Sequence, residues 1–219
     1  TSYQKIAYTD LCTMISVTIL TKNNEQTIAE VLTSVQVFDD VVVLDTGSSD
    51  DTMTIARSFQ NVTVYETPFS GFGALHNKAS QKAQNDWILS LDSDEVLSKE
   101  LHDEIMTTNL DATAVYSFPM YNYFNGKVIK GCGWYPDRHV RIYNKTTTSF
   151  SDDDIHEKII DNGMEKVLLK NHVKHYSYRS LSDFLDKLQR YSDLFAQQNK
   201  GKKRSSFCKA AGHGSFAFV

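Results

Sequence analysis

Residues 85–98 read Asn85-Asp86-Trp87-Ile88-Leu89-Ser90-Leu91-Asp92-Ser93-Asp94-Glu95-Val96-Leu97-Ser98. The apolar run from Trp87 to Leu91 stops at three acids, Asp92, Asp94 and Glu95. Strands of a parallel sheet are covered on both faces and read as near-continuous apolar runs. Their ligands sit in the crevice beyond the carboxyl ends. Two acids one residue apart at that edge suit a hard divalent cation, Mg²⁺ or Mn²⁺, holding a diphosphate. Such ions take one or two carboxylates and keep other positions for water and phosphate oxygens.

Working outward, Ile15 to Leu20 and Val41 to Leu44 are further apolar strands, and Val62 to Tyr65 is a third. Ile28, Val31, Leu32 and Val35 fall at helical spacing. Ser49 or Asp50 is the expected N-cap of a second helix through Ala56 and Phe59. Phe72 to Ala83 is the third. Strands alternating with helices predict βαβ units around a parallel sheet. After residue 97 the pattern changes. A helix over Leu101 to Met106 precedes strands at 115–124 and 128–130, joined by Asn125-Gly126, a strong hairpin signal. Short strands are expected at 139–143 and 155–160, then a long amphipathic helix from Leu181 to Gln198.

The fold class is therefore α/β, with a C-terminal region of short strands and a long helix. We divide the chain into a non-native or disordered extension (1–13, with Met14 as the natural start), a nucleotide-side half (14–110) and an acceptor-side half (111–180). An amphipathic helix with a basic and aromatic tail (181–219) follows, read as the truncated end of something longer.

The 219 residues carry 23 Lys and Arg against 27 Asp and Glu, a net charge of -4. That balance argues against a protein that coats nucleic acid. The three cysteines, Cys12, Cys132 and Cys208, lack metal-ligand spacing and suggest a reducing compartment. No apolar run is long enough to span a bilayer.

Asp45 ends the second strand, where an acid commonly accepts hydrogen bonds from a nucleoside, and Gly47 allows the turn that follows. Leu44 to Ser49 also matches the Asp-Thr-Gly-Ser signature of aspartic proteases. Those enzymes need two such carboxylates, and the flanking βαβ pattern contradicts their all-β fold. Asn77 lies on the helix before Trp87 and could face a diphosphate. Trp134 and Tyr135 could present aromatic faces to a sugar ring. Glu157 and Asp137 are candidate general bases. His156 and His175 are candidate third metal ligands. The basic run Lys200 to Arg204, followed by aromatic residues, could touch an anionic membrane surface.

Taken in order, these pieces resemble glycosyltransferase family 2, nucleotide-sugar-dependent enzymes with a GT-A fold. The resemblance is carried by Thr21-Lys22-Asn23-Asn24-Glu25, by Leu44 to Thr52, by Asn77 and by Asp92-Ser93-Asp94-Glu95. Gly133 to Asp137, Arg141-Ile142-Tyr143 and His156-Glu157 are similar to bacterial lipopolysaccharide core glucosyltransferases. The resemblance implies that Thr21, Asn23, Glu25 and Asp45 hold the uridine, with Gly47, Ser48 and Asn77 beside them. It implies that Asp92 and Asp94 hold ribose, diphosphate and a divalent metal, Mg²⁺ or Mn²⁺, to which His156 or His175 remains a candidate third ligand. Asp94, Glu95, Trp134 and Tyr135 then line the sugar and acceptor. The implied activity is inverting transfer of a hexose from UDP-glucose to a glycolipid or lipopolysaccharide core acceptor. The implied location is cytoplasmic and peripheral on the inner face of the membrane. The pattern has Arg before Asn77, whereas this chain has His76.

Two other readings compete. A nucleotidyltransferase would need a basic, glycine-rich loop after the first strand, where this chain has Asn23-Asn24-Glu25. A sugar-nucleotide-binding module without activity would keep the site and lose turnover.

Overall fold

The computed structural model describes residues 14–131, 134–135, 137–152, 157–178 and 180–201. Two compact units divide the chain, Thr1–Arg179 and Ser180–Val219. The first is built on one mixed sheet, in which β1 (Ile15–Thr21), β2 (Asp40–Asp45), β3 (Val62–Glu66) and β4 (Trp87–Asp92) are parallel. Between them run α1 (Ile28–Ser34), α2 (Thr52–Arg57) and α3 (Phe72–Lys82). Next come β5 (Glu95–Leu97), α4 (Lys99–Thr107), β6 (Ala114–Phe124), β7 (Lys127–Val128), β8 (Asp137–Asn144), β9 (Glu165–Leu168) and β10 (Val173–Tyr178). Strand order is β3-β2-β1-β4-β8-β6-β10-β5, with β7 and β9 on β6.

This order places a reversal at β1. The chain steps from β1 to β2 to β3, then returns to lay β4 on the other side of β1. Right-handed crossovers put the helices of the two directions on opposite faces. The buried clusters agree. Ile15, Val17, Ile19, Val41, Val43, Leu89 and Leu91 pack with Ile28, Val31 and Leu32 of α1, Ala56 of α2 and Leu101 and Ile105 of α4. On the other face Leu20, Val42, Leu44 and Ile88 pack with Leu75 and Ala79 of α3. β1, β2 and β4 can be largely apolar because both their faces are covered, whereas β3, at the edge of the sheet, is only partly buried.

Several local expectations are corrected. The N-cap position of α2 is Asp51, not Ser49 or Asp50. Asp50 instead accepts from the Thr52 amide (3.1 Å) and hydroxyl (2.6 Å). Of the strand expected over 155–160, Ile159 forms an isolated bridge with Phe150, and residues 155 and 156 lie outside those described. β5, β9 and β10 were not expected. The Asn125-Gly126 turn forms as expected, with φ of 46° and 74°, the left-handed values a tight hairpin needs.

The second unit contains α5 (Leu181–Asn199), capped by the Ser180 hydroxyl on the Asp183 amide. Leu181, Leu185, Leu188 and Phe195 are exposed along it. No described helix is long and apolar enough to cross a membrane.

Candidate active site

The site lies at the carboxyl edge of β1, β2 and β4. Asp45 pairs in register with Thr21 and Asp92 with Leu20, so the two acids flank β1 at the same rim. This is the point where the strand order reverses, where open α/β sheets form their ligand crevice. Successive residues of a strand point to opposite faces. Asp92 therefore belongs to the face covered by α3, and Asp45 to the face covered by α1 and α2. A ligand touching both must straddle the rim.

Behind Asp92 stands a buried ion cluster. Arg141 of β8 donates through Nη2 to Asp92 Oδ2 (2.9 Å) and to Glu95 Oε1 (2.7 Å). The other Glu95 oxygen accepts from the Asp92 amide (3.0 Å), and the Glu95 side chain is 0% exposed. Both Glu95 oxygens are thus occupied from within the protein. Burial pushes the Glu95 carboxyl up to about 7 even with Arg141 against it. Burial would raise Asp92 too, but Arg141, His76 and His175 outweigh it and hold that carboxyl well below the usual range. The two acids shift in opposite directions because Glu95 is sealed, whereas Asp92 is partly exposed and held by Arg141.

His76 of α3 sits on the same side. Its Nδ1 is 3.2 Å from Ser90 Oγ, and its ring stacks on Phe150 at 4.2 Å. Burial pulls its pKa down to about 4, so the ring is neutral near pH 7. Permanent positive charge beside Asp92 comes from Arg141. His175 of β10 lies 3.5 Å from Asp94 Oδ2, and Asp94, Glu95 and Asp92 together raise its pKa against the effect of burial.

On the nucleotide side, Asp45 folds its carboxylate back on its own turn. Oδ2 accepts from the amides of Gly47 (2.8 Å) and Ser48 (2.9 Å), and the Ser48 hydroxyl donates to Oδ1. Gly47 has φ 101°, a conformation other residues rarely adopt. Asn23 and Glu25 are zipped to the facing loop. Asn23 Oδ1 accepts from the Ser49 amide (2.8 Å), and Glu25 Oε2 from the Asp51 amide (3.1 Å). The backbone of Thr21 accepts from the Thr46 amide (3.0 Å), and its hydroxyl is buried with no partner among the described residues. Asn77 makes paired bonds to the backbone of Phe150 (3.0 and 2.9 Å), which fastens α3 to the loop beyond β8.

On the acceptor side, Asp137 is 2.9 Å from His139 Nε2 and accepts from Asn122 Nδ2 (3.2 Å). Glu157 Oε1 is 3.8 Å from His76 Nε2, and its charge also acts on Arg141. The Trp134 carbonyl accepts from Asn122 (3.3 Å), with its ring against Tyr178. Tyr135 packs instead against Tyr121. His156 lies outside the described residues.

The structure thus brings Asp92, Asp94, Glu95 and Glu157 to one cluster through Arg141, His76 and His175. Sequence reasoning missed Arg141 and Asn122 as site groups. Arg141 stands at the point where β8 passes from exposed polar to buried residues, and Arg is almost never fully buried unless paired. Among the described residues no three His, Cys, Asp or Glu side chains form a group that could hold a metal ion. The two acids nonetheless fit one that completes its shell with phosphate and water. Only one Asp92 oxygen is taken by Arg141, its side chain is 39% exposed, and both Asp92 and Asp94 act on His175.

Comparison with known proteins adds a lineage. The family described as Glycosyl transferase family 2 matches residues 16–168. An uncharacterized glycosyltransferase of Rickettsia typhi is 32% identical over 208 residues, covering 88% of this chain and 71% of the relative. The crystal structure of Staphylococcus aureus TarS 1–349 superposes with a TM-score of 0.50 at 20% identity, over 78% of this chain and 62% of TarS. The chain therefore spans less than two thirds of that neighbour. Glucosyl-3-phosphoglycerate synthase of Mycobacterium tuberculosis, solved with Mn²⁺, UDP and glucosyl-3-phosphoglycerate, superposes with a TM-score of 0.52 at 16% identity, over 94% and 88% of the two chains. At these identities the superpositions speak for a shared GT-A fold.

Proposed function

The chain belongs to glycosyl transferase family 2, and from that premise we propose an inverting hexosyltransferase that takes glucose from UDP-glucose to a glycolipid acceptor of the lipopolysaccharide core type. The observation that carries the donor side is the register that sets Asp45 and Asp92 on either side of β1 at one rim. A nucleotide lying across that rim offers its base to the Asp45 turn and its diphosphate to Asp92 and Asp94. The neighbour solved with Mn²⁺ and UDP supports a uridine nucleotide and a divalent ion.

Asp92 and Asp94 would hold Mg²⁺ or Mn²⁺, whose chemistry is to offset negative charge on a departing diphosphate. The chain's own groups do the rest. Arg141 keeps one oxygen of Asp92 fixed, so the other is aimed before any ligand arrives. Neutral His76 fills the space under the rim without adding a competing charge. Glu157 is the general base for the acceptor hydroxyl, with Asp137 second. A base must reach the proton it removes, and Glu157 stands beside the same His76 and Arg141 that border Asp92. Trp134 and Tyr135 line the acceptor approach. The exposed apolar stripe of α5 supports a peripheral position on the cytoplasmic face of a membrane.

Glu157→Gln should leave UDP affinity nearly intact and reduce turnover of the UDP-sugar by about a hundredfold or more, the usual contribution of a general base. Calorimetry with UDP and a radiolabelled product assay read the two quantities. Unchanged turnover would move the base to Asp137. Asp94→Ala should abolish metal-dependent turnover, and full activity in that variant would displace the site from this rim.

A further inference from the structure

We propose that Asn122 is a positioning residue of the transfer site, whose side-chain amide ties the donor-side acid Asp94 to the acceptor-side acid Asp137. The inference rests on the reading of this rim as a sugar-transfer site. Asn122 lies in β6, a largely apolar and aromatic strand (Ala-Val-Tyr-Ser-Phe-Pro-Met-Tyr-Asn-Tyr-Phe) in which it and Ser117 are the polar side chains apart from tyrosines, and it is 3% exposed. A buried amide is costly unless its donors and acceptors are satisfied, and here three of its partners, His175, Asp137 and Trp134, belong to the site. Oδ1 accepts from His175 Nδ1 (2.7 Å) and from the Ser177 hydroxyl (2.9 Å). Nδ2 donates to Asp137 Oδ2 (3.2 Å) and to the Trp134 carbonyl (3.3 Å).

The orientation of the amide follows from chemistry. The Trp134 carbonyl can only accept, so the NH₂ end must face Trp134 and Asp137. The carbonyl end then faces His175, so Nδ1 of that ring carries a proton. The ring directs Nε2 toward Asp94 Oδ2 at 3.5 Å. The backbone of Asp94 is held from the same strand, its carbonyl accepting from the Tyr176 amide (2.9 Å). A polar strip therefore runs Asp94–His175–Asn122–Asp137–His139 across β10, β6 and β8, neighbours in the sheet. The metal-side acid lies at one end of the strip, and an acid of the acceptor side lies at the other. The amide sets the gap between them, where the sugar must change partners. Misplacement of reacting groups by an ångström is enough to cost orders of magnitude in rate.

Asn122→Asp is the sharpest test. It is isosteric and keeps an acceptor for His175 and Ser177, but it turns an oxygen toward Asp137 and the Trp134 carbonyl and breaks that link. His175→Gln removes the ring from Asp94 while leaving Asn122 on Asp137, and serves if the first variant does not fold. The readouts are UDP affinity with Mn²⁺ by calorimetry and single-turnover consumption of whichever of UDP-glucose, UDP-galactose or UDP-N-acetylglucosamine the wild type uses fastest. Melting temperature is followed in parallel. A positioning role predicts at least a tenfold fall in rate, with UDP affinity within about twofold of wild type. An unchanged rate in a folded variant overturns it. So does a parallel fall of rate and UDP affinity, which marks Asn122 as a part of the fold or of the donor pocket. A wild-type protein that neither binds UDP nor consumes these donors refutes the transferase reading itself, before any variant is compared.

Discussion

His76 and Glu95 are buried within the same cluster, yet burial moves them oppositely, His76 down to about 4 and Glu95 up to about 7. Each shift favours the uncharged form, because a sealed site disfavours charge. Their effects on stability oppose one another. As pH falls from 6.5 toward 4, the unfolded chain protonates its histidine while folded His76 does not, so stability is lost. As pH falls from about 7 toward 4.5, folded Glu95 takes a proton that the unfolded chain declines, so stability is gained. Each term is worth at most about 3 kcal/mol. These two contributions offset one another over this window in metal-free buffer, which leaves the wild-type slope to other groups, among them His139 and His172, lowered by burial, and His175, raised by Asp94 against its burial. Relative to the wild type, His76→Gln should gain stability on acidification from pH 7 to 4.5, and Glu95→Gln should lose it. Denaturant titrations at several pH values check the two slopes. Identical pH profiles in all three proteins would mean that neither group is as sealed as the structure has it. Arg141 is the residue that makes this arrangement tolerable. Breaking a buried ion pair by removing one partner typically costs about 3–5 kcal/mol, so Arg141→Met should destabilise the fold strongly, whereas surface pairs such as Arg57–Glu66 should tolerate loss with little effect.

At the scale of elements, α3 matters most, because it joins the nucleotide side to the acceptor side. Its one-sided apolar residues Leu75 and Ala79 anchor it to the sheet. Its polar residues then reach in two directions, His76 to Ser90 on β4 and Asn77 to the backbone at Phe150. Asn77→Ala leaves that backbone pair without partners and should cost about 1–3 kcal/mol, measured as a shift in denaturant midpoint. If Asn77 is structural, as its two bonds indicate, UDP affinity in this variant should change little. A large fall in affinity at near-normal stability would return Asn77 to the nucleotide. The zipped loops after β1 and β2 follow the same logic. Asn23, at φ 54°, and Glu25 bond the facing turn, so they fix the two loops against each other beside Asp45.

For the molecule as a whole, the parallel half is what makes a rim at all. The parallel strands set Asp45 and Asp92 on either side of β1, the Thr27 hydroxyl ties the loop after β1 to the Ser93 carbonyl after β4 (2.9 Å), and the mixed half supplies Arg141, Asn122, Asp137 and His175 from β8, β6 and β10. A donor that bridges Asp45 and Asp92 binds only the folded chain. UDP with Mn²⁺ at a hundred times its Kd should therefore raise stability by about 2.7 kcal/mol. The thermal shift should shrink when either UDP or the metal is omitted. An equal shift with Mn²⁺ alone would separate metal binding from the nucleotide.

Much of this was legible in the chain. Trp87 to Leu91, Val41 to Leu44 and Ile15 to Leu20 could be read as strands because a strand covered on both faces is largely apolar, and the acids that follow the first two, Asp92 and Asp45, mark the rim. The hairpin at Asn125-Gly126 was legible because few residues accept left-handed φ. β10 was not. Val-Lys-His-Tyr-Ser-Tyr has no apolar alternation, since its polar residues face partners supplied by β5 and β6 rather than water. For the same reason Asn122 gives no signal in sequence, and Arg141, though part of the Arg141-Ile142-Tyr143 motif, does not show which acids it holds. A polar residue shows its role only when distant strands bring it a partner, and pairing between strands far apart in the chain is decided by tertiary packing. The sequence by itself determined the elements, the rim and the acids on it. The tertiary structure decided which of those acids are sealed, which cation holds them and which amide links the two sides.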